Sequence, residues 1–261
     1  AFSLDNTRHT LSDEPGFDRQ DSTYVAVKSI WRLSALNIEL LINGAESDID
    51  YGYDEDWSFT GIHPWGYTST DHYLRDKKTI SAEIRLFSNE QSRLFEDSSD
   101  WVLGFYALRS DENLERIYTF ADRYNSNYDF DTLAVFGQID TKLSGSLMLS
   151  AGLRLEERET RYNDSANISF SPDDSMWGGK VSLEYSLTGD AHAYVSVARG
   201  FKAGGFNTNG SLDEDLREFD EEHLIEYELG YKSMLMDGNV GLQIALFYDD
   251  RQDQQVKSSL V

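Results

Sequence analysis

The segments AHAYVSVARGFKAGGFN (191–207) and EEHLIEYELGYKSMLMDGNVGLQIALFYDDRQDQQV (221–256) decide the fold. In the second, Ile225, Tyr227, Leu229 and Tyr231 alternate with Glu226, Glu228, Gly230 and Lys232. Asp237-Gly238 then supplies a two-residue turn. Beyond it Val240, Leu242, Ile244, Leu246 and Tyr248 repeat the apolar row against Gly241, Gln243, Ala245 and Asp249. A strict period of two belongs to a β-strand with unlike faces. Two such runs joined by an Asp-Gly turn form a tall antiparallel hairpin.

The pattern recurs upstream. A first strand is expected over about 21–33, with Val25, Val27, Trp31 and Leu33 opposite Ala26, Lys28 and Arg32. A second runs from Leu36 to about Tyr53, and a third carries Ile80, Ala82, Ile84 and Leu86 against Glu83 and Arg85. The fourth starts at Trp101, with Leu103, Phe105 and Ala107 on one face. The fifth has Leu133, Val135 and Ile139. In the sixth, Leu147, Leu149, Ala151, Leu153 and Leu155 face Ser150, Gly152, Arg154 and Glu156. The seventh sets Val181, Leu183, Tyr185 and Leu187 against Lys180, Ser182 and Glu184, and the opening segments supply strands eight to ten. Residues 1–20, with Pro15-Gly16, read as loop.

Short turns are expected at 34–35, 144–145, 189–190 and 237–238, and long loops at 54–76, 113–127 (with strand extensions), 157–175 and 206–221. Segment 89–100 alone is longer than its end of the strands should carry. Outer-membrane barrels sort their connections in this way, short on the periplasmic side and long outside. A strand crossing an apolar band of about 25 Å at about 45° needs about 9–11 residues. The apolar rows have that length, and no Lys, Arg, Asp or Glu interrupts them in strands two, three, six, seven and ten. The opposite rows carry Lys28, Arg32, Glu39, Glu83, Arg85, Arg154, Lys180, Glu184, Glu226, Glu228 and Lys232. A packed dry core would leave these charges without water. A wet lumen, or the solvent face of a soluble sheet, removes the difficulty.

Composition agrees. Aromatic residues make up 13% of the 261, yet hydrophobic residues only 39%. Both suit a barrel in which every second strand residue faces lipid. No run of eighteen apolar residues exists, so a transmembrane helix is excluded. The chain has no cysteine, which rules out a disulfide framework and thiol-based metal or redox chemistry. A formal charge of -24 repels phosphate backbones, and nucleic acid is not an expected partner. The start AFSLDNTRHT lacks a basic region and an apolar core, so a mature product or a piece of a longer chain is expected rather than a signal peptide.

YVSVARGFKAGGFN, an acidic segment, YELGYKS, a short turn and ALFYDDRQDQQV together resemble the C-terminal barrel region of TonB-dependent outer-membrane receptors. TISAEIRLFSNE, DWVLGFYAL, LAVFGQID and LMLSAGLRLEERE precede them in the order that family shows, so the resemblance covers about 21–256. It implies an all-β fold, a transmembrane wall of about ten antiparallel strands belonging to a 22-strand barrel. Residues 1–261 would form a single partial barrel domain without the family's plug. Alone such a wall should be an open, curved sheet; closure would instead show as pairing between about 24–32 and 240–250. The implied function is uptake of a scarce solute such as a ferric siderophore, with TonB reached only through the missing plug. The implied setting is the outer membrane of a Gram-negative bacterium, as a monomer among lipid and lipopolysaccharide. No cofactor is expected. A passive porin-like channel and a soluble or surface β-sheet binding module remain the alternatives.

Among possible sites, the 54–76 loop is crowded with Trp57, Phe59, His63, Trp65, Tyr67, His72 and Tyr73. Aromatic side chains can stack on a small-molecule or metal-chelate ligand, but they also pack on each other or line an interfacial girdle. His63 and His72 lack a carboxylate at metal-ligand spacing, so no metal site is expected. Arg199, Gly200, Phe201, Lys202, Gly204, Gly205 and Phe206 form the family motif. Its glycines lack the phosphate-loop pattern and suit close backbone approach where a strand leaves the membrane. Arg199 and Lys202 could meet a lipopolysaccharide phosphate or an anionic ligand from the rim. The acidic run Asp213 to Glu222 reads as a solvated loop. Glu226 and Glu228 do not stand apart from other inward acids, and neither GxSxG nor HExxH is present, so no catalysis is expected.

Overall fold

The structure, a computed structural model, describes residues 12–62, 65–208 and 217–256. Ten long strands make one antiparallel sheet: β1 (Phe17–Arg32), β2 (Asn37–Asp54), β3 (Thr70–Phe87), β4 (Ser99–Tyr118), β5 (Tyr124–Lys142), β6 (Leu147–Asp164), β8 (Asp173–Thr188), β9 (Ala191–Lys202), β12 (Glu222–Leu235) and β13 (Val240–Gln252). Three two-residue strands decorate one end: β7 (Ser169–Phe170) pairs with β6, and β10 (Gly205–Phe206) pairs with β11 (Glu218–Phe219). Neighbours in the sheet are neighbours in sequence throughout. Among the described residues β1 pairs only with β2 and β13 only with β12, so the wall is open rather than closed on itself.

Register carries the two-faced pattern across the sheet. Leu40, Ile84, Phe105, Val135, Leu155 and Trp177 stand opposite one another in a continuous apolar row over six strands. Leu149, Leu183, Val195, Leu229 and Leu246 form a second row over five. One residue away lie Glu39, Arg85, Gly104, Phe136, Arg154 and Gly178, also in register. The same parity places Lys180, Glu184, Glu226, Glu228 and Lys232 on that polar face.

Exposure is inverted relative to a water-soluble sheet. Phe105 is 50% exposed and Leu155 48%, whereas the side chains of Glu83 and Glu156 are only 16% and 15% exposed. Side chains crowd on a concave face and splay on a convex one, so the charged face is the inner one and hydrocarbon-like side chains cover the outside. Among the described residues no helix and no second layer covers Leu149, Leu183 or Leu229. Several inner charges pair with one another: Lys28 Nζ lies 2.8 Å from Glu39, Arg154 donates to Glu156 from Nε at 2.8 Å, and Arg85 pairs with Glu83. Arg154 also lies over the rings of Tyr106 and Phe136, at 5.3 and 5.7 Å.

The strands are longer than the sequence pattern indicates. β1 begins at Phe17, β3 at Thr70, and 113–127, read as a long loop with strand extensions, is mostly extension: β4 and β5 fill it except for 119–123. The 157–175 loop shrinks to 165–172 around β7. At the other end the connections are 33–36, 143–146, 189–190 and 236–239, with 88–98 the longer exception. The 236–239 turn holds Met236, Asp237 and Gly238 at φ 54°, 55° and 86°, the positive values for which an Asp-Gly pair is suited.

Glycines receive rings from the neighbouring strand on the inner face. A Cβ at Gly230 would fall within the ring of Tyr194, and one at Gly104 within that of Phe136. Tyr194 in turn donates to Glu228 and lies 5.2 Å from Lys232 Nζ. Gly230→Val should therefore destabilise by about 1–3 kcal/mol, the range for overpacking. In a double-mutant cycle followed by urea unfolding, Tyr194→Ala should recover part of that loss. Simple additivity would show that the ring does not occupy the glycine's place.

Candidate functional site

Beyond the apolar band the strands continue with their polarity reversed. On β2 the outer positions become Glu46, Asp48 and Asp50, while the inner ones become Ile49, Tyr51 and Tyr53. The outer charges partly compensate, as where Lys78 lies 2.9 Å from Glu46 and Arg161 2.9 Å from both Asp129 and Asp131. The inner face at this long-loop end becomes aromatic.

Two clusters are assembled there by register. β2, β3 and β4 bring Tyr53 opposite Asp71, Tyr73 opposite Arg116 and Asp71 opposite Tyr118. The side chain of Asp71 is 1% exposed and accepts both Arg116 Nε at 2.8 Å and Nη2 at 2.6 Å. It also accepts the hydroxyls of Tyr73 at 2.8 Å and Tyr53 at 3.2 Å. Arg116 lies between the rings of Tyr73 and Tyr118, at 5.3 and 5.2 Å. Burial alone raises a carboxyl, but the hydrogen bonds from Arg116 and Tyr73 hold Asp71 below the usual carboxylate range. Burial and the Asp71 charge push the Tyr73 phenol up to about 12.

In the second cluster β5 and β6 place Tyr128 opposite Tyr162 and Ser126 opposite Asp164. Phe206 stacks on Phe170 with centroids 4.8 Å apart and lies 4.9 Å from Tyr162. Tyr162 and Tyr124 both donate to Asp164, at 2.9 and 3.1 Å. Arg158 donates to the Tyr128 hydroxyl at 2.8 Å and lies 3.9 Å over Phe130. The two clusters line one hollow of about 770 Å³, to which Phe219 also contributes.

The residues expected from sequence distribute unevenly around this hollow. Tyr73 lines it, and Tyr67 packs edge-on against Phe120 at 5.6 Å, next to Tyr118. Trp57 lies 6.3 Å from Tyr53 and Trp65 is 84% exposed. His72 belongs to β3 rather than to a loop and faces outward, opposite Gly52, with Nε2 2.5 Å from Asp50. His63 lies outside the described residues, as do 213–216 of the acidic run. Of the family motif, Arg199 to Lys202 end β9, and Gly204 packs against Asp174 and the Phe219 carbonyl with no room for a Cβ. That close approach delivers Phe206 into the aromatic cluster. Arg199 lies 4.4 Å over Trp177 and 3.5 Å from Glu221, so its charge is engaged within the chain. Among the described residues no three His, Asp or Glu side chains gather as a metal-ligating set.

A family model described as TonB dependent receptor-like, beta-barrel matches residues 2–261. The chain belongs to the TonB-dependent receptor family. The pesticin receptors of Yersinia enterocolitica and Yersinia pestis are 28% identical to it over 232 residues, which cover 79% of this chain and 33% of theirs. The chain thus spans about a third of the length of the curated relatives it matches. Among solved structures, the ferric yersiniabactin uptake receptor of Yersinia pestis superposes with a TM-score of 0.76 at 20% identity, covering 93% of this chain and 38% of that one. The closed form of a ferric-catecholate import receptor of E. coli gives 0.71 at 14%, covering 92% and 42%. At these identities the superpositions show the fold alone. This TonB-dependent receptor barrel is therefore an outer-membrane wall of a Gram-negative bacterium, and its relatives are transport receptors, not enzymes.

Proposed function

We propose that the intact polypeptide carrying this barrel wall is an outer-membrane receptor that captures a scarce solute, such as a ferric siderophore, and imports it with energy from the TonB complex. A plug, which none of the described residues forms, would make the TonB contact. The wall supplies the lipid-facing surface among lipid and lipopolysaccharide, the charged inner face, and the first binding surface for solute, all within one monomer. The observation that carries the reading is the aromatic hollow on the inner face at the long-loop end, where an incoming solute first leaves bulk water. Names of relatives that take up ferric yersiniabactin or ferric catecholates agree with it.

Uptake of radiolabelled ferric siderophores into cells with and without the encoding gene tests the proposal, with a parallel strain lacking TonB. Loss of uptake of one ferric chelate in both strains supports it. Unchanged uptake of every chelate overturns it, and gene-dependent uptake that survives loss of TonB establishes a passive channel instead. Tyr128→Ala and Phe206→Ala should each weaken binding about tenfold, the effect of about 1.4 kcal/mol, while Tyr185→Ala on the outer face should leave it unchanged.

A further inference from the structure

The two aromatic clusters use their hydroxyls unequally. Tyr124 and Tyr162 donate to Asp164, and Tyr73 and Tyr53 donate to Asp71. Tyr128 differs. Its oxygen accepts from Arg158 Nη2 at 2.8 Å, and among the described residues its own O–H has no acceptor. A hydroxyl that accepts from a cation is polarised to donate more strongly. The Tyr128 side chain lines the hollow, so this donor faces whatever occupies it.

Arg158 is an unneutralised charge. Its guanidinium lies 3.9 Å over Phe130, but it has no ion pair among the described residues and its Nε is buried without an acceptor. Asp174, opposite it across the β6–β8 ladder, accepts the Gly204 N–H at 3.2 Å instead. Lys202, which ends β9 on the same face, also lacks an ion pair among the described residues, since Glu222 opposite it lies 3.3 Å from Arg251. A buried donor without a partner is destabilising, and an anion brought beside Arg158 offsets that loss.

The acids of the lining stand at the other end. Asp122 lies in the connection before β5, which starts at Tyr124. Tyr128 is four residues, about 13 Å, further down the strand. Arg158 stands opposite Thr132, four residues deeper still, and reaches back to the Tyr128 hydroxyl. Glu112 is already matched by Arg75 at 3.0 Å and Lys77 at 3.8 Å. The hollow is therefore acidic at its mouth and basic beneath its floor.

Resting on the receptor reading above, we propose that the solute carries a carboxylate beside an aromatic ring, and that Tyr128 and Arg158 receive that carboxylate. The ring stacks among Tyr128, Tyr162 and Phe206, the Tyr128 O–H donates to the carboxylate, and Arg158 balances its charge from below. The solute is thereby oriented with its anionic end inward, away from Asp122.

Two ferric complexes test this, both built on a neutral tripodal tris-hydroxypyridinone. One bears a single carboxylate on a ring, the other a carboxamide in its place. Binding to the intact polypeptide in detergent is read by quenching of tryptophan fluorescence at low ionic strength. The carboxylate complex should bind about tenfold tighter or more, as expected for a charge-assisted hydrogen bond. That ratio should fall to near one in Arg158→Gln and be partly retained in Arg158→Lys. Tyr128→Phe, which keeps the ring, should lower it about threefold and decides the case if Arg158→Gln does not assemble. Equal or tighter binding of the carboxamide overturns the inference and leaves the receptor reading standing. So does a preference that survives Arg158→Gln, or that disappears only in Lys202→Gln. Binding of neither complex overturns the inference too, and the uptake measurement then decides the receptor reading separately.

Discussion

Leu183→Arg should destabilise the membrane-embedded wall by about 2–4 kcal/mol, the cost of a cation at mid-depth on a lipid face, whereas Ser182→Arg should cost less than about 1 kcal/mol. The two residues are adjacent on β8. Leu183 stands between Leu149 and Val195 in the outer apolar row, and Ser182 between Ser150 and Ser196 on the inner face, near Glu184. Intrinsic strand propensity and chain position are nearly the same for both, so a difference isolates what each face touches. Depth enters too: the outer row of β8 runs from Leu187 to Trp177, which puts Leu183 near its middle and Leu187 at its edge. Leu187→Arg should accordingly cost about 0–1 kcal/mol, since a long side chain there reaches the interface. Urea titration of the intact polypeptide in phospholipid vesicles measures all three. Equal losses at 182 and 183 would mean that the outer row does not meet hydrocarbon.

That two-faced arrangement was legible in the sequence because the period of two survives inspection one strand at a time. Alternation alone puts Glu83, Arg85, Arg154, Lys180, Glu184, Glu226, Glu228 and Lys232 opposite the apolar rows, and in the cross-strand register they share one parity. The strand extensions beyond the membrane were legible only in part, at 113–127, for a physical reason. Above the band the apolar side of each strand moves from outside to inside. On β4 the outer Leu103, Phe105 and Ala107 give way to Arg109, Asp111 and Asn113, while Leu114 and Tyr118 now lie inward. Such an inversion interrupts the pattern and reads as the end of a strand, although the backbone ladder continues. His72 and Tyr73 were grouped for the same reason: as loop neighbours they could share a ligand, but as strand neighbours they point to opposite faces.

The site itself was less legible still. Its members come from β2 to β7, β10 and β11, and only cross-strand register brings Tyr73 to Arg116 or Tyr128 to Tyr162. The available signal was the spacing of Tyr124, Tyr128 and Phe130 by even numbers, which marks one face of a strand once that strand is known to exist. Phe206 was visible within the family motif, but its role as the ring that closes the aromatic cluster needed the stacking on Phe170.

The pair at the centre of the site should respond asymmetrically to truncation. Arg116→Ala leaves the buried Asp71 carboxylate with only the Tyr73 and Tyr53 hydroxyls, an uncompensated charge that costs about 3–5 kcal/mol when fully enclosed. Because Arg116 is itself 39% exposed and water can enter its place, about 2–4 kcal/mol is expected. Asp71→Ala leaves a guanidinium between two rings with access to solvent, and about 1–2 kcal/mol is expected. Acid separates the cases further. Burial opposes the Asp71 charge, but hydrogen bonds from Arg116 and Tyr73 hold its folded pKa below the ordinary value. Its stabilisation is therefore complete above about pH 4 and disappears as pH falls through the lowered folded value. Without Arg116, desolvation dominates and the carboxyl shifts above its unfolded value, so proton uptake relieves the folded state. The variant should then gain stability as pH drops from about 7 towards 5, where the parent protein changes little. Asp164, also held low, contributes the same acid limb to both proteins and cancels in the comparison. Thermal unfolding of both in detergent across this range gives the sign directly, and parallel curves would mean that Arg116 does not hold the Asp71 charge.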